Sequence, residues 1–169
     1  DPATKIQELS VFGEFGGVNP SITDSSTYTF LKSETMKELF ESEIEGCFLY
    51  SRHWNPSNKY LSDAISALEN SEASQITSSG ISAIACAILQ ICEQGDEIIS
   101  SRTIYGGTYA LFKNVLPKFG ISVKFVDILD LNMVNKNITS KTKMVYCESI
   151  SNPLLDVSDL PELSKITKK

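Results

Sequence analysis

Hydrophobic residues recur at helical spacing in some stretches of the chain and alternate with polar residues in others. Helical spacing predicts helices over residues 33–40 and 57–70, after a Gly-, Ser- and Thr-rich start. From residue 75 onward strands alternate with helices: strands at 75–77, 97–100, 121–127 and 144–147, and helices at 80–92, 108–119, around 131 and at 158–168. This alternation is typical of βαβ units, so the predicted fold class is α/β with a mostly parallel sheet flanked by helices.

The pattern divides the chain into two regions. Residues 1–56 show poor periodicity, and we expect an extended N-terminal arm with one short helix there. Residues 57–169 hold the alternating elements and form the first part of an α/β domain. Because the last predicted helix has no strand after it and the first residue is Asp1 rather than Met, we expect a partial chain.

Composition and charge narrow the choice of partner and location. The 169 residues carry 15 basic and 21 acidic side chains, a net charge of −6, and phosphate backbones and anionic bilayers need a basic surface. We therefore expect no nucleic-acid and no membrane partner. His53 is the only histidine, which rules out a metal site built from several histidines, and we predict no metal site. The cysteines, at positions 47, 86, 92 and 147, form no CxxC pair and are typical of thiols in a cytoplasmic protein.

The strongest local feature is the segment 77–82, Thr-Ser-Ser-Gly-Ile-Ser, between a predicted strand and an apolar helix. Gly80 removes a side chain where the backbone turns, and the free N–H groups of the helix start then point at one spot, as in a phosphate site. The alternative is a plain helix cap, since Ser and Gly are favoured there in any case.

Three further motifs have a chemical and a structural interpretation each. Arg52 follows Tyr50 in a non-helical segment, where it suits bidentate phosphate binding or is part of a surface loop. Tyr105 precedes two glycines after a predicted strand, and Glu148 comes four residues before Asn152 after another. In an α/β sheet, ligands bind beyond the carboxyl ends of the strands, but both motifs also suit ordinary turns.

Taken together, the order and spacing of these motifs resemble the Cys/Met-metabolism family of pyridoxal-phosphate enzymes. The motifs are Tyr50-Ser-Arg52-x-x-Asn55-Pro56, Ser79-Gly80, Tyr105-Gly-Gly-Thr108 and Glu148-x-x-x-Asn152-Pro153. The resemblance runs from about residue 17 to the end and covers less than half of a family member. It implies the large, cofactor-binding domain of a type I pyridoxal-phosphate transferase-like fold, truncated here, with pyridoxal 5′-phosphate as cofactor.

The resemblance also implies how the cofactor phosphate is held. Ser79, Gly80 and Ile81 would hold it at the helix start, the last two through their backbone N–H groups. Tyr50 and Arg52 would reach the phosphate of a neighbouring subunit's cofactor, which implies a homo-oligomer, either a dimer or a tetramer.

Three residues would serve the cofactor ring. Tyr105 would stack on it and assist proton transfer, Asn152 would contact the ring hydroxyl, and Glu148 would support that region. Family members often have Met where this chain has Ile81. The Schiff-base lysine and the Asp that pairs with the pyridine nitrogen have no matching position here, so we expect the chain to be inactive alone.

The implied reaction is γ-replacement or γ-elimination on a small amino-acid substrate, either a sulfur amino acid or an activated homoserine. Methionine γ-lyases tend to carry Cys at the position of Gly107, which favours a replacement enzyme and leaves methionine γ-lyase as an alternative. The rival interpretations are a non-catalytic module that binds a phosphorylated ligand, a nucleotide-binding domain, and a structural α/β domain with unrelated turns. The nucleotide-binding domain lacks its usual glycine fingerprints, GxGxxG and GxxxxGK[ST].

Overall fold

A computed structural model of the chain describes residues 1–9, 12–41, 44 and 46–168. The remaining positions of the predicted arm (10, 11, 42, 43 and 45) and of the predicted domain (169) lie outside the described residues. The helices are Pro2–Glu8 (α1), Ser33–Glu41 (α2), Pro56–Glu69 (α3), Gly80–Ile91 (α4), Gly106–Ala110 (α5), Leu131–Asn137 (α6) and Leu160–Thr167 (α7). The strands are Glu97–Ser101 (β1), Ser122–Val126 (β2) and Thr142–Tyr146 (β3).

Two compact units make up the chain, Asp1–Ile76 and Thr77–Lys169. The predicted division between residues 56 and 57 separates regions by role, and it stays a prediction. In the first unit α3 matches the expected helix closely, because Asn55 caps its start and Asn70 ends it. The Asn55 side chain accepts a hydrogen bond from the Asn58 N–H at 2.8 Å, and Asn70 takes a left-handed conformation with φ of 54°.

The second unit is built on a parallel sheet with the strand order β2-β1-β3. Central strand β1 is buried along its whole length, and its alternating side chains serve two cores. Ile98 packs with α4 and with the helical segment that holds Phe112, whereas Ile99 packs with Val134 of α6 and Leu163 of α7. Helices therefore cover both faces of the sheet, and the predicted α/β fold class is confirmed.

Some local predictions were wrong. Residues 75–77 form no strand, because a strand needs a pairing partner and no described segment pairs with them. The arm contains α1 in addition to the single expected helix, α2. The Asp1 side chain starts α1 by accepting a hydrogen bond from the Ala3 N–H at 3.1 Å, and Pro2 occupies a first-turn position where its missing N–H costs nothing.

The helix predicted over residues 108–119 is present but begins at Gly106 and changes type along its length. A turn of π-helix over Leu111–Val115 follows α5, and a 3₁₀ turn over Leu116–Phe119 ends the segment. Pro117 has no N–H to donate within the last turn, and Gly120 closes it with φ of 75°. No described helix is both long and apolar enough to cross a membrane.

Candidate cofactor site

The start of α4 keeps backbone donors free for a ligand. Ser79 is extended, and its Oγ accepts a hydrogen bond from the Ser82 N–H at 3.1 Å. Thr77 Oγ1 donates to the Ser79 carbonyl at 2.9 Å, which fixes the residue that caps the helix. Within the described chain, nothing accepts a hydrogen bond from the N–H of Gly80 or Ile81. The cap thus satisfies one donor of the first turn and leaves two N–H groups pointing out of a 12-residue helix.

Open space lies beside these donors. A Cβ added at Gly80 would meet no heavy atom within 4 Å, and both Ser79 and Gly80 are exposed. Two N–H donors, a serine hydroxyl and the positive end of the helix dipole suit a phosphate dianion. The residues present therefore fit the phosphate of the cofactor that the sequence predicts.

Tyr105 lies at the start of α5 with its ring half-exposed. Its N–H donates to Glu148 Oε1 at 2.9 Å, and its carbonyl accepts from the Tyr109 N–H at 2.9 Å. The ring lies over Gly107, where an added Cβ would come within 2.6 Å of Tyr105 Cε1. Gly107 therefore leaves the space that the ring occupies, and 54% of Tyr105 stays accessible for a flat ligand.

Glu148 joins Tyr105 to the loop that follows β3. Its second oxygen, Oε2, accepts a hydrogen bond from the Asn152 N–H at 3.3 Å. Asn152 is exposed and precedes Pro153 through a cis peptide bond. The structure therefore brings Tyr105, Glu148 and Asn152 together, beyond the carboxyl ends of two adjacent parallel strands, β1 and β3. Helix α4, which carries the other candidate segment, packs against α5.

Glu148 places a negative charge close to the end of β3. Burial raises the pKa of the neighbouring Tyr146 phenol and of the Cys147 thiol, and the charge of Glu148 adds to both shifts. Both groups are therefore neutral near pH 7. The described residues contain no cluster of three His, Cys, Asp or Glu side chains that could bind a metal ion.

Tyr50 and Arg52 lie in the first unit, in a turn that keeps the cation exposed. The Tyr50 carbonyl accepts from the His53 N–H at 2.9 Å, and the Arg52 guanidinium carbon lies 5.1 Å from the centre of the Tyr50 ring. A backbone bridge between Tyr50 and Thr27 anchors the turn. No described carboxylate pairs with Arg52, so its charge is available to a ligand.

Two features of the site could not be found from sequence motifs. The contact between Gly107 and the Tyr105 ring depends on three-dimensional packing, although the double glycine itself was visible. Thr108 begins the helix that the sequence predicts over residues 108–119, but α5 begins earlier, at Gly106, and Thr108 is buried within it. A buried threonine cannot be told from a capping one by its sequence neighbours.

Comparison with known proteins bears on the family. The family described as Cys/Met metabolism PLP-dependent enzymes matches residues 5–169. The chain belongs to this family. It is 42% identical to a methionine gamma-lyase of Arabidopsis thaliana over 98% of this chain and 39% of the relative. It is 39% identical to a homocysteine synthase of Schizosaccharomyces pombe, over 84% of this chain and 33% of the relative.

Solved structures of similar proteins agree with this fold. A Campylobacter jejuni protein described as an O-acetylhomoserine (thiol)-lyase superposes with a TM-score of 0.90 at 28% identity, covering 99% of this chain and 41% of that one. It carries an N′-pyridoxyl-lysine-5′-monophosphate group. Cystathionine gamma-lyase of Lactobacillus plantarum, complexed with L-serine, gives 0.85 at 29% identity, covering 99% of this chain and 42% of that one.

These comparisons confirm the predicted family, whose enzymes are pyridoxal-phosphate-dependent, and its predicted fold. The chain spans between 33% and 42% of the length of these similar proteins. The roles of the individual site residues stay predictions.

Proposed function

We propose that this chain carries the phosphate- and ring-binding part of a pyridoxal 5′-phosphate site. The observation that carries the proposal is the start of α4, where no described residue accepts a hydrogen bond from the Gly80 or Ile81 N–H and open space lies beside Gly80. Family membership supports it, because the matching family is PLP-dependent and one similar structure holds a pyridoxyl group. When bound, this cofactor withdraws electrons from the carbon atoms of an amino-acid substrate.

In this proposal each residue has a defined task. Gly80 and Ile81 donate their backbone N–H groups to the phosphate, and Ser79 adds its hydroxyl while it caps α4. Tyr105 covers the flat ring with its exposed face, and its phenol holds or moves a proton near the substrate. Asn152 binds the ring oxygen through its side-chain amide.

We propose γ-elimination or γ-replacement on a sulfur amino acid or an activated homoserine as the reaction. Relatives of both kinds support this range, since the similar proteins include methionine gamma-lyases, a homocysteine synthase and an O-acetyl-L-homoserine sulfhydrylase. Gly107 favours replacement, whereas the 42% identity to a methionine gamma-lyase favours elimination.

A paired assay separates the two reactions. The full product of the gene that encodes this chain is supplied with pyridoxal phosphate and either methionine alone or O-acetylhomoserine with sulfide. Elimination releases methanethiol, ammonia and 2-oxobutanoate from methionine and water, and replacement gives homocysteine and acetate. If neither set of products forms although the cofactor binds, the proposed reaction is wrong for these two substrates, and the result favours a non-catalytic binding module.

We further propose a homo-oligomer, a dimer or tetramer, in which Tyr50 and Arg52 reach the cofactor phosphate of a neighbouring copy. Arg52 supports this, because it is exposed and forms no ion pair with a described carboxylate. Sedimentation at several concentrations measures the assembly. Mixing an Arg52→Ala chain with a Ser79→Asp chain tests the sharing, because a mixed assembly should contain one intact site that neither variant has alone. A monomer at all concentrations would contradict the proposal.

The cytoplasmic location is also a proposal. It is supported by the four cysteines, all of which are free thiols. Fractionation of cells that express the tagged gene product tests it, and recovery outside the cytoplasm would contradict it.

A further inference from the structure

We infer that Glu148 is a positioning residue, which sets Tyr105 and Asn152 at a fixed spacing by binding the backbone N–H of each. The inference rests on the proposed function, because it assigns a task within the same site. It differs from a direct role at the cofactor, since both oxygens of the carboxylate already face protein donors.

The geometry of the carboxylate supports a bridge. Oε1 accepts from Tyr105, which is 43 residues away in sequence, and Oε2 accepts from Asn152, which is four residues away. Each N–H thus has an oxygen of its own. The two loops follow β1 and β3, whose last paired residues are Ser100 and Tyr146, so Glu148 links the two chain segments beyond the end of their pairing.

Hydrogen bonds from Ser158 hold the backbone at Glu148 and Ser149. Ser158, which is buried, donates its Oγ to the Glu148 carbonyl at 2.8 Å, and its N–H donates to the Ser149 carbonyl at 3.1 Å. Because the backbone of Glu148 is fixed in this way, its carboxylate can hold the N–H groups of Tyr105 and Asn152 in fixed positions.

Helix capping alone does not account for these contacts. A carboxylate at the first turn of α5 would be favoured by that turn's free N–H groups, and this explains the bond to Tyr105. It does not explain the bond to Asn152, which lies outside any helix. Loss of the bridge should therefore disturb the residues predicted to contact the cofactor ring and spare the phosphate donors of α4.

The test compares two probes on the ¹⁵N-labelled 169-residue chain. Pyridoxamine 5′-phosphate presents ring and phosphate and forms no imine with lysines, whereas inorganic phosphate presents the phosphate alone. The variants are Glu148→Gln, which keeps the size of the side chain but only one acceptor oxygen, and Glu148→Ala, which keeps neither. Glu162→Gln is the control, because it makes the same charge change in an exposed ion pair on α7.

We expect one of the two amides, Tyr105 or Asn152, to exchange with solvent about tenfold faster in Glu148→Gln, and both in Glu148→Ala. Pyridoxamine phosphate should bind about tenfold more weakly to Glu148→Gln, while inorganic phosphate changes less than about twofold, as in the control.

Unchanged exchange and unchanged affinity in Glu148→Gln would overturn the inference. Equal losses for both probes, or unfolding of Glu148→Gln, would overturn it as well, since either result means a general structural role. Failure of the proposed function looks different, because pyridoxamine phosphate would then leave the amides of the wild-type chain unshifted.

Discussion

Replacing Gly107 with alanine should displace the ring of Tyr105 by a distance that the structure fixes. The new Cβ would lie 2.6 Å from Cε1, 3.2 Å from Cδ1 and 3.3 Å from Cζ of that ring. Ordinary van der Waals contact begins at 3.4 Å, so the ring edge must retreat by about 0.8 Å, the difference between 3.4 and 2.6 Å. Both residues lie in the same short turn, so we expect the side chain rather than the backbone to move.

The displacement should weaken cofactor binding without weakening the fold. A stacked aromatic pair contributes about 0.5–1.5 kcal/mol beyond its buried area, so losing the stack lowers the affinity for pyridoxamine 5′-phosphate roughly 2- to 12-fold. Alanine in place of glycine within a helix is favourable by up to about 1 kcal/mol. Affinity and stability should therefore change in opposite directions in Gly107→Ala.

The assay is a ligand titration followed by NMR, together with urea unfolding of each variant. Gly106→Ala is the matched control, because a Cβ at that glycine meets nothing within 4 Å and the change in helix propensity is the same. In a Tyr105→Ala background, Gly107→Ala should have no further effect on affinity. Equal affinities of Gly107→Ala and Gly106→Ala, or an undiminished effect of Gly107→Ala without the Tyr105 ring, would refute the reasoning.

Three further predictions concern single side chains. Burial would raise the pKa of the Glu97 carboxyl, but hydrogen bonds from Lys124 and Thr142 outweigh this effect and lower the pKa below 4.5. The folded chain therefore favours the ionised carboxylate, and the free energy of unfolding should fall as the pH drops below 4.5. In urea unfolding, the Glu97→Gln variant should have a lower midpoint than the wild-type chain at pH 7. Its midpoint should also fall less steeply than that of the wild-type chain as the pH is lowered. Ser79→Ala should lose the helix cap and lower the free energy of unfolding by about 1 kcal/mol in urea. Ser79→Asp should keep the cap but bind phosphate more weakly, because its carboxylate repels the anion. Equal phosphate affinities of the two variants would contradict this. Arg52→Ala should lower the affinity for phosphate only under conditions where the chain associates. Sedimentation measures the association state under the conditions of each phosphate titration.

The sequence predicted those parts of the fold whose causes are local. Strands β1 to β3 come from short apolar or alternating runs, and α3 comes from Asn55, Pro56 and Asn70 at its ends. The local pattern gave a wrong prediction where strand formation depends on pairing with another segment. Residues 75–77 alternate like a strand, but no described segment pairs with them. Helix α1 was missed because its apolar periodicity is weak and its cap is the first residue of the chain.

The candidate site divides in the same way. Ser79 and Gly80 could be found from sequence, because a cap and a glycine before an apolar helix have a local signature. The hydrogen bonds of Glu148 could not, since one partner is 43 residues away and both donors are backbone groups that leave no trace in residue identity. The packing of Tyr105 on Gly107 was likewise invisible, because it depends on the rotamer that the ring adopts.

The most direct test of the central claim compares pyridoxamine 5′-phosphate with pyridoxamine on the ¹⁵N-labelled chain. The two ligands share the ring and differ only in the phosphate, which we place at the N–H groups of Gly80 and Ile81. We predict that the phosphorylated ligand shifts these two amide signals in a saturable way and that pyridoxamine leaves them in place. If neither ligand moves them, or if both move them equally, the start of α4 is not the phosphate site.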